Sequence, residues 1–95
     1  MRRSFVVLWT ERQGASRIAF AVSRGVGGSV RRNRVRRRLR EAYRQAQAGL
    51  PAGRDVVLIG RPAALTQPFG QILDEMRRAF TFLSSSGARQ GYAPR

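Results

Sequence analysis

The residues best suited to chemistry in this sequence are arginines concentrated between Ser29 and Arg44. The segment reads SVRRNRVRRRLREAYR, and a guanidinium group binds phosphate through paired hydrogen bonds and also stacks on bases. Over the whole chain, 19 basic residues, all of them arginine, stand against 5 acidic residues, so the formal net charge is +14. This charge could attract a nucleic acid, an anionic membrane surface or an acidic protein, and the choice of arginine favours nucleic acid.

The sequence offers little for catalysis by protein side chains. It contains no histidine and no cysteine, which removes the commonest general base, the commonest metal ligand and all thiolate chemistry. The acidic residues are scattered along the chain, at Glu11, Glu41, Asp55, Asp74 and Glu75. We therefore predict no catalytic residue and no metal site in the protein.

The N-terminal apolar run, residues 5–9, follows two arginines and is followed at once by Thr10-Glu11-Arg12. It is shorter than the apolar region of a signal peptide, and no stretch approaches membrane-spanning length. We expect a cytoplasmic protein without a membrane partner.

Short apolar runs predict three strands. Residues 5–10 and 17–23 have strand composition and are expected to pair as an antiparallel hairpin across the polar connection 11–16. The continuous apolar run 56–59 is typical of a central, buried strand.

Two stretches with apolar residues at spacings of three and four predict amphipathic helices. The first has Ser29 or Asn33 as its N-cap and ends before Gly49 and Pro51, with an apolar stripe of Val35, Leu39, Ala42, Tyr43 and Ala46. The second begins after Pro68, with an apolar face of Phe69, Ile72, Leu73, Met76, Phe80 and Leu83. We predict one domain over residues 1–83, a mixed sheet carrying two helices with a parallel crossover around the first helix, and a flexible tail over 84–95.

The first helix should bear its arginines opposite the apolar stripe. Arg36, Arg37, Arg40 and Arg44 fan across the outer side, with Arg34 and Arg38 at its flanks. Glu41 is the only acid in this helix, so like charges repel along it, and a surface of this kind predicts a polyanion partner. Charge alone does not distinguish RNA from DNA.

At this level of detail the sequence resembles the bacterial ribonuclease P protein component. Four blocks carry the resemblance, in the family's order and spacing: RIAFAVS with VG at 17–23 and 26–27, RNRVRR with LRE at 32–37 and 39–41, DVVLIGRP at 55–62, and the amphipathic segment 69–82. The match as a whole covers about residues 5–83.

The resemblance implies an α/β (α+β) sandwich like a ribosomal-protein domain, with a mixed four-stranded sheet and a left-handed βαβ crossover. General rules would have favoured a right-handed one. The implied function is that of an accessory subunit in the 5′ maturation of precursor tRNA. The partners are the catalytic RNA, which holds the Mg²⁺ that the reaction uses, and the precursor tRNA; no obligate protein partner and no cofactor on the protein are implied.

The resemblance also assigns site residues. Matched residue by residue, it gives Arg32, Asn33, Arg34, Arg36, Arg37 and Arg40 as the RNA-facing set, and the predicted RNA-binding residues also include Arg31 and Arg44 of the same helix. Val7, Trp9 and Ala21 are assigned to a cleft for the 5′ leader. Trp9 is either a stacking platform for single-stranded nucleotides or an ordinary core aromatic, and Asn33 is either an RNA contact or a helix-start amide.

The sequence departs from the family at its start and in the first helix. Relatives begin with a helix and a short strand that are missing here, and we expect a start assigned too far downstream rather than a natural truncation. Arg38 stands where many relatives carry an apolar residue. Two other classes stay open: a ribosomal-type or general structured-RNA-binding protein, and a DNA-binding module, which would predict a turn-linked helix pair.

Overall fold

The computed structural model describes residues 3–85 and 90–93. Within these residues the chain forms four strands and two helices: β1 (Phe5–Glu11), β2 (Arg17–Val22), α1 (Ser29–Ala46), β3 (Arg54–Gly60), α2 (Phe69–Ser85) and β4 (Gln90–Ala93). Short 3-10 turns lie at Arg24–Val26, Gln47–Gly49 and Pro62–Leu65. Helix α1 begins directly after Gly28 without a side-chain cap, so neither Ser29 nor Asn33 is its N-cap.

The sheet is mixed and four-stranded, in the order β2-β3-β1-β4. Strand β3 runs parallel to β2 and antiparallel to β1, which confirms the mixed sheet and the parallel crossover through α1; the left-handed sense of that crossover stays a prediction. The expected β1–β2 hairpin is wrong, because β3 lies between these strands. The connection 11–16 crosses the start of β3 instead, where the amide of Arg12 donates to the carbonyl of Gly53 at 3.0 Å.

The C-terminal region contributes to the sheet. Strand β4 pairs antiparallel with β1, with Trp9 opposite Gly91, and Ser84 and Ser85 belong to α2. Residues 84–85 and 90–93 of the predicted flexible tail thus belong to α2 and β4; the flexibility of the tail stays a prediction, and its remaining residues lie outside the described part of the chain. A side chain at position 91 would lie 2.4 Å from the indole of Trp9, so glycine lets this strand approach β1 closely.

Both helices pack on one face of the sheet. The buried residues of α1 are Val35, Leu39, Ala42 and Ala46, and the apolar residues buried from α2 are Ile72, Met76, Phe80 and Leu83. They meet the sheet residues Phe5, Val7, Trp9, Val22, Val56 and Leu58 in one core. The apolar stripes predicted for the two helices are thus confirmed, with Tyr43, Phe69 and Leu73 only partly buried.

A buried carboxylate ties the start of β1 to α2. Glu75 is 8% exposed. Its carboxylate accepts a hydrogen bond from the amide N–H of Ser4 at 3.0 Å and another from the Ser4 hydroxyl at 2.8 Å. The carbonyl of Ser4 in turn accepts the N–H of Arg61 at 2.9 Å. The three polar groups of Ser4 are therefore all satisfied within the protein, as burial requires.

Replacing Glu75 by glutamine should lower the free energy of unfolding by about 1–2 kcal/mol, because one of the two donors of Ser4 would face an amide NH₂. The neighbouring Asp74→Asn, whose carboxylate is half exposed and pairs with Arg78, should change it by less than about 0.5 kcal/mol. Urea denaturation of both variants measures the difference. Equal stability of the two variants would contradict the structural role of Glu75.

Candidate nucleic-acid interface

Four arginines on the solvent-exposed part of α1 form a cationic surface. They are exposed and make no hydrogen bond or ion pair with any described residue; we call Arg31, Arg34, Arg37 and Arg40 the outer arginines. Arg40 also lies over the ring of Phe20, 5.8 Å from its centroid. Their side chains follow one another every third residue, extend over roughly 14 Å of helix and wind about half-way around it.

Two further arginines of α1 are used inside the protein. Arg32 donates to the carbonyls of Ser23 at 3.1 Å and Val22 at 3.0 Å, so it holds the end of β2 against α1. Arg38 donates to three carbonyls in the segment before α2, at 2.9 Å to Ala64, 3.1 Å to Leu65 and 2.7 Å to Gln67. Burial and the nearby charge of Arg34 lower the pKa of Arg38.

The remaining predicted RNA-binding residues have partners within α1. Asn33 is exposed in the body of the helix and accepts a hydrogen bond from Arg36 at 3.3 Å, so the helix-start interpretation of Asn33 is wrong. Arg44 forms an ion pair with Glu41. Hydrogen bonds from Arg44 and Gln45 lower the pKa of Glu41, so its carboxylate is ionised at neutral pH.

The start of α1 is unusually positive for a helix. Its first turn contains no acidic residue, although helix N-termini generally favour acids because the backbone dipole is positive there. Arg31 and Arg32 instead add their charges to that end. The arrangement disfavours the isolated helix and favours a bound anion, which is the electrostatic pattern of a phosphate-binding surface.

The residues predicted for the leader cleft do not lie on one surface. Val7 and Trp9 are 3% and 6% exposed and belong to the core beneath the helices, where the ring of Trp9 contacts that of Phe82 edge-on at 5.5 Å. Ala21 is paired with Ile59 and lies on the opposite face. The grouping of the three is therefore corrected: side chains alternate along a strand, and Trp9 is a core aromatic here.

The face of the sheet away from the helices is apolar at its centre. The register places Leu8, Val57 and Ala19 in one row and Val6, Ile59 and Ala21 in the next. Of these, only Val6 is buried. The sequence analysis did not predict that Leu8, Val57 and Ile59 lie on the same face of the sheet as Ala21. The alternation of side chains along β1, combined with the pairing of β1 and β2 with β3, would have placed them there.

Two further observations bear on other classes of site. Among residues 3–85 and 90–93, no helix combines the length and apolar character needed to cross a bilayer. In the same part of the chain, no three acidic side chains come together as a group that could hold a metal ion.

Comparison with known proteins identifies the family. A family model described as Ribonuclease P matches residues 1–84. A ribonuclease P protein component from Ruegeria pomeroyi is 50% identical over 66 residues, which cover 66% of this chain and 52% of that protein. One from Kocuria rhizophila is 40% identical over 79 residues, covering 82% of this chain and 70% of that protein. The chain thus spans about half the length of some of the curated relatives it matches.

Solved structures agree on the fold. The RNase P protein from Thermotoga maritima superimposes with a TM-score of 0.70 at 24% identity, covering 84% of this chain and 78% of that one. The RNase P protein of Staphylococcus aureus gives a TM-score of 0.67 at 23% identity, covering 90% and 78%.

Proposed function

The chain belongs to the Ribonuclease P family, and we propose that it is the protein subunit of this ribonucleoprotein. In that role α1 binds the catalytic RNA and the protein assists the 5′ maturation of precursor tRNA in the cytoplasm. The RNA performs the cleavage with Mg²⁺ that it holds itself. The protein is an accessory subunit, and it contributes a positively charged surface of defined shape that binds the RNA.

The single observation that carries the proposal is the set of outer arginines. Four exposed guanidinium groups project into solvent from a helix that Val35 and Leu39 fix to the sheet. Without an anion, these like charges destabilise the free protein, whereas RNA phosphates convert each of them into a favourable contact. An RNA partner is what the family implies, and the geometry supports α1 as the element that meets it.

For the 5′ leader we propose the open face of the sheet around Ala21. Its exposed and half-buried apolar side chains, Leu8, Ala19, Val57 and Ile59, offer a flat surface to unpaired bases. Arg17 lies at the edge of this face and forms a hydrogen-bonded ion pair with Asp55 at 2.8 Å, which lowers the pKa of Asp55. Val7 and Trp9 take no direct part in this proposal, because they face the core.

Cleavage of a precursor tRNA by a bacterial ribonuclease P RNA, with and without the protein at low Mg²⁺, tests the function. Addition of the protein should accelerate cleavage, and Ala19→Asp should weaken this effect more for a long leader than for a single-nucleotide leader, because its charge repels leader phosphates. The matched control is Ala19→Ser. RNA binding without faster cleavage would instead identify a general structured-RNA-binding protein.

The affinity for RNA should fall log-linearly with salt concentration, since each neutralised phosphate releases counterions. Replacing Arg31 and Arg37 together by alanine should reduce the slope of log K against log salt by about 1.4–1.8. The control is the same double replacement at Arg77 and Arg78, which are exposed on α2 and should leave the slope unchanged. If the two double variants shift the slope equally, the RNA surface is not centred on α1.

A further inference from the structure

A groove between α1 and the start of α2 contains an aromatic and an acidic side chain beside its arginines. Binding of phosphates by an arginine surface does not require either of them. The groove is open to solvent, has a volume of about 580 Å³, and is lined by Arg34, Arg37, Arg38, Glu41 and Phe69. This volume falls in the range of about 300–1,000 Å³ that is typical of small-ligand sites.

The groove combines an aromatic surface with free cations. Phe69, the first residue of α2, is partly buried against the core and lines the groove with its remaining surface. Arg34 and Arg37 are exposed and make no hydrogen bond or ion pair with the described residues, so their guanidinium groups are available to a phosphate. An aromatic ring beside two free guanidinium groups matches one nucleotide, base on ring and phosphate on arginine.

The rest of the lining is held in place by the protein. Arg38 donates to three carbonyls, including that of Gln67 at 2.7 Å, which fixes the segment leading into Phe69 relative to α1. Glu41 is fixed by Arg44 and Gln45. Its carboxylate repels a second phosphate but can accept N–H groups from the edge of a base, so the groove favours a single inserted nucleotide over a run of phosphates.

We propose that this groove takes one unpaired nucleotide of the RNA partner, with the base against Phe69 and its phosphate at Arg34 and Arg37. The inference rests on the proposed function, since it assumes that α1 binds RNA. It adds recognition of an extruded base to the charge contacts, and thereby a preference for RNA that presents an unpaired nucleotide at this position.

The test compares Phe69→Leu with Phe82→Leu in complexes with ribonuclease P RNA. Phe82 is an exposed phenylalanine of the same helix, about 20 Å further along α2. Phe69→Leu should weaken binding at least fivefold, the lower end of what loss of base–aromatic stacking produces, and should leave the salt slope unchanged because no charge is removed. Chemical probing of the RNA should show one unpaired nucleotide that the wild type protects and that Phe69→Leu exposes. Phe82→Leu should do neither.

A second variant guards against a folding defect in Phe69→Leu. Arg34→Ala removes an exposed side chain without a hydrogen-bonding partner among the described residues and should expose the same nucleotide. Unchanged protection in both variants would overturn the inference while leaving RNA binding by α1 intact. Failure of the wild type to bind the RNA at all would overturn the proposed function and the inference with it. Displacement of the RNA nucleotide by millimolar free nucleoside monophosphate would show a site for free nucleotides and would also overturn the inference.

Discussion

Replacing Arg38 by alanine should lower the free energy of unfolding by about 2–3 kcal/mol, measured by urea denaturation without RNA. The guanidinium group donates to the carbonyls of Ala64, Leu65 and Gln67, and hydrogen bonds that involve a charged group contribute more than neutral ones. Removing it leaves these carbonyls without that donor and detaches the segment before α2 from α1. Arg38→Met, which keeps an apolar stem of similar length, should recover only part of the loss.

Arg37 provides the matched control, since it is the same residue type one position earlier and has no hydrogen-bonding partner in the described chain. Arg37→Ala should change stability by less than about 0.5 kcal/mol while weakening RNA binding. If Arg37→Ala and Arg38→Ala lower the free energy of unfolding equally, the hydrogen bonds from Arg38 to the carbonyls do not stabilise the fold, and the structural role assigned to Arg38 is wrong.

This contrast shows how far the sequence predicts the interface. Helical periodicity correctly separates the apolar stripe from the arginine side, because both depend only on spacing along α1. It cannot show that Arg32 and Arg38, at the margins of that side, reach backbone carbonyls of neighbouring segments. Those carbonyls belong to residues 9 to 29 positions away in sequence, so only the tertiary fold brings them together.

The strands show the same limit. Their positions follow from local composition, and three of the four were predicted. Their order does not follow, because the short connection 11–16 suggested a hairpin, whereas the parallel β2–β3 crossover places β3 between β1 and β2. Strand β4 was missed because QGYA lacks a run of β-branched residues. Alternation separated Val7 and Trp9 from Leu8, but only the packing of α2 shows which face is the core.

Replacing Gly60 by alanine should lower the free energy of unfolding by about 2–3 kcal/mol. Gly60 is buried at the end of β3, and a Cβ atom there would lie 2.3 Å from Cγ1 of Val35 and 3.2 Å from Cδ1 of Leu39. Val35 is β-branched and restricted to essentially one rotamer in a helix, so it cannot swing away. The clash would be relieved only by lifting α1 from the sheet, and overpacking of this kind is destabilising.

The mechanism can be isolated with a second substitution, because Val35→Ala removes the clashing methyl group. Val35→Ala alone should destabilise the protein by creating a cavity, but in the Gly60→Ala background it should cost at least about 1 kcal/mol less. Gly70→Ala, whose Cβ would meet no atom within 4 Å, should not destabilise at all. Additive effects at positions 35 and 60 would mean that α1 is not seated on Gly60. Coupled effects would show that this one glycine sets how closely the arginine-bearing helix lies on the sheet, and so where its guanidinium groups meet RNA.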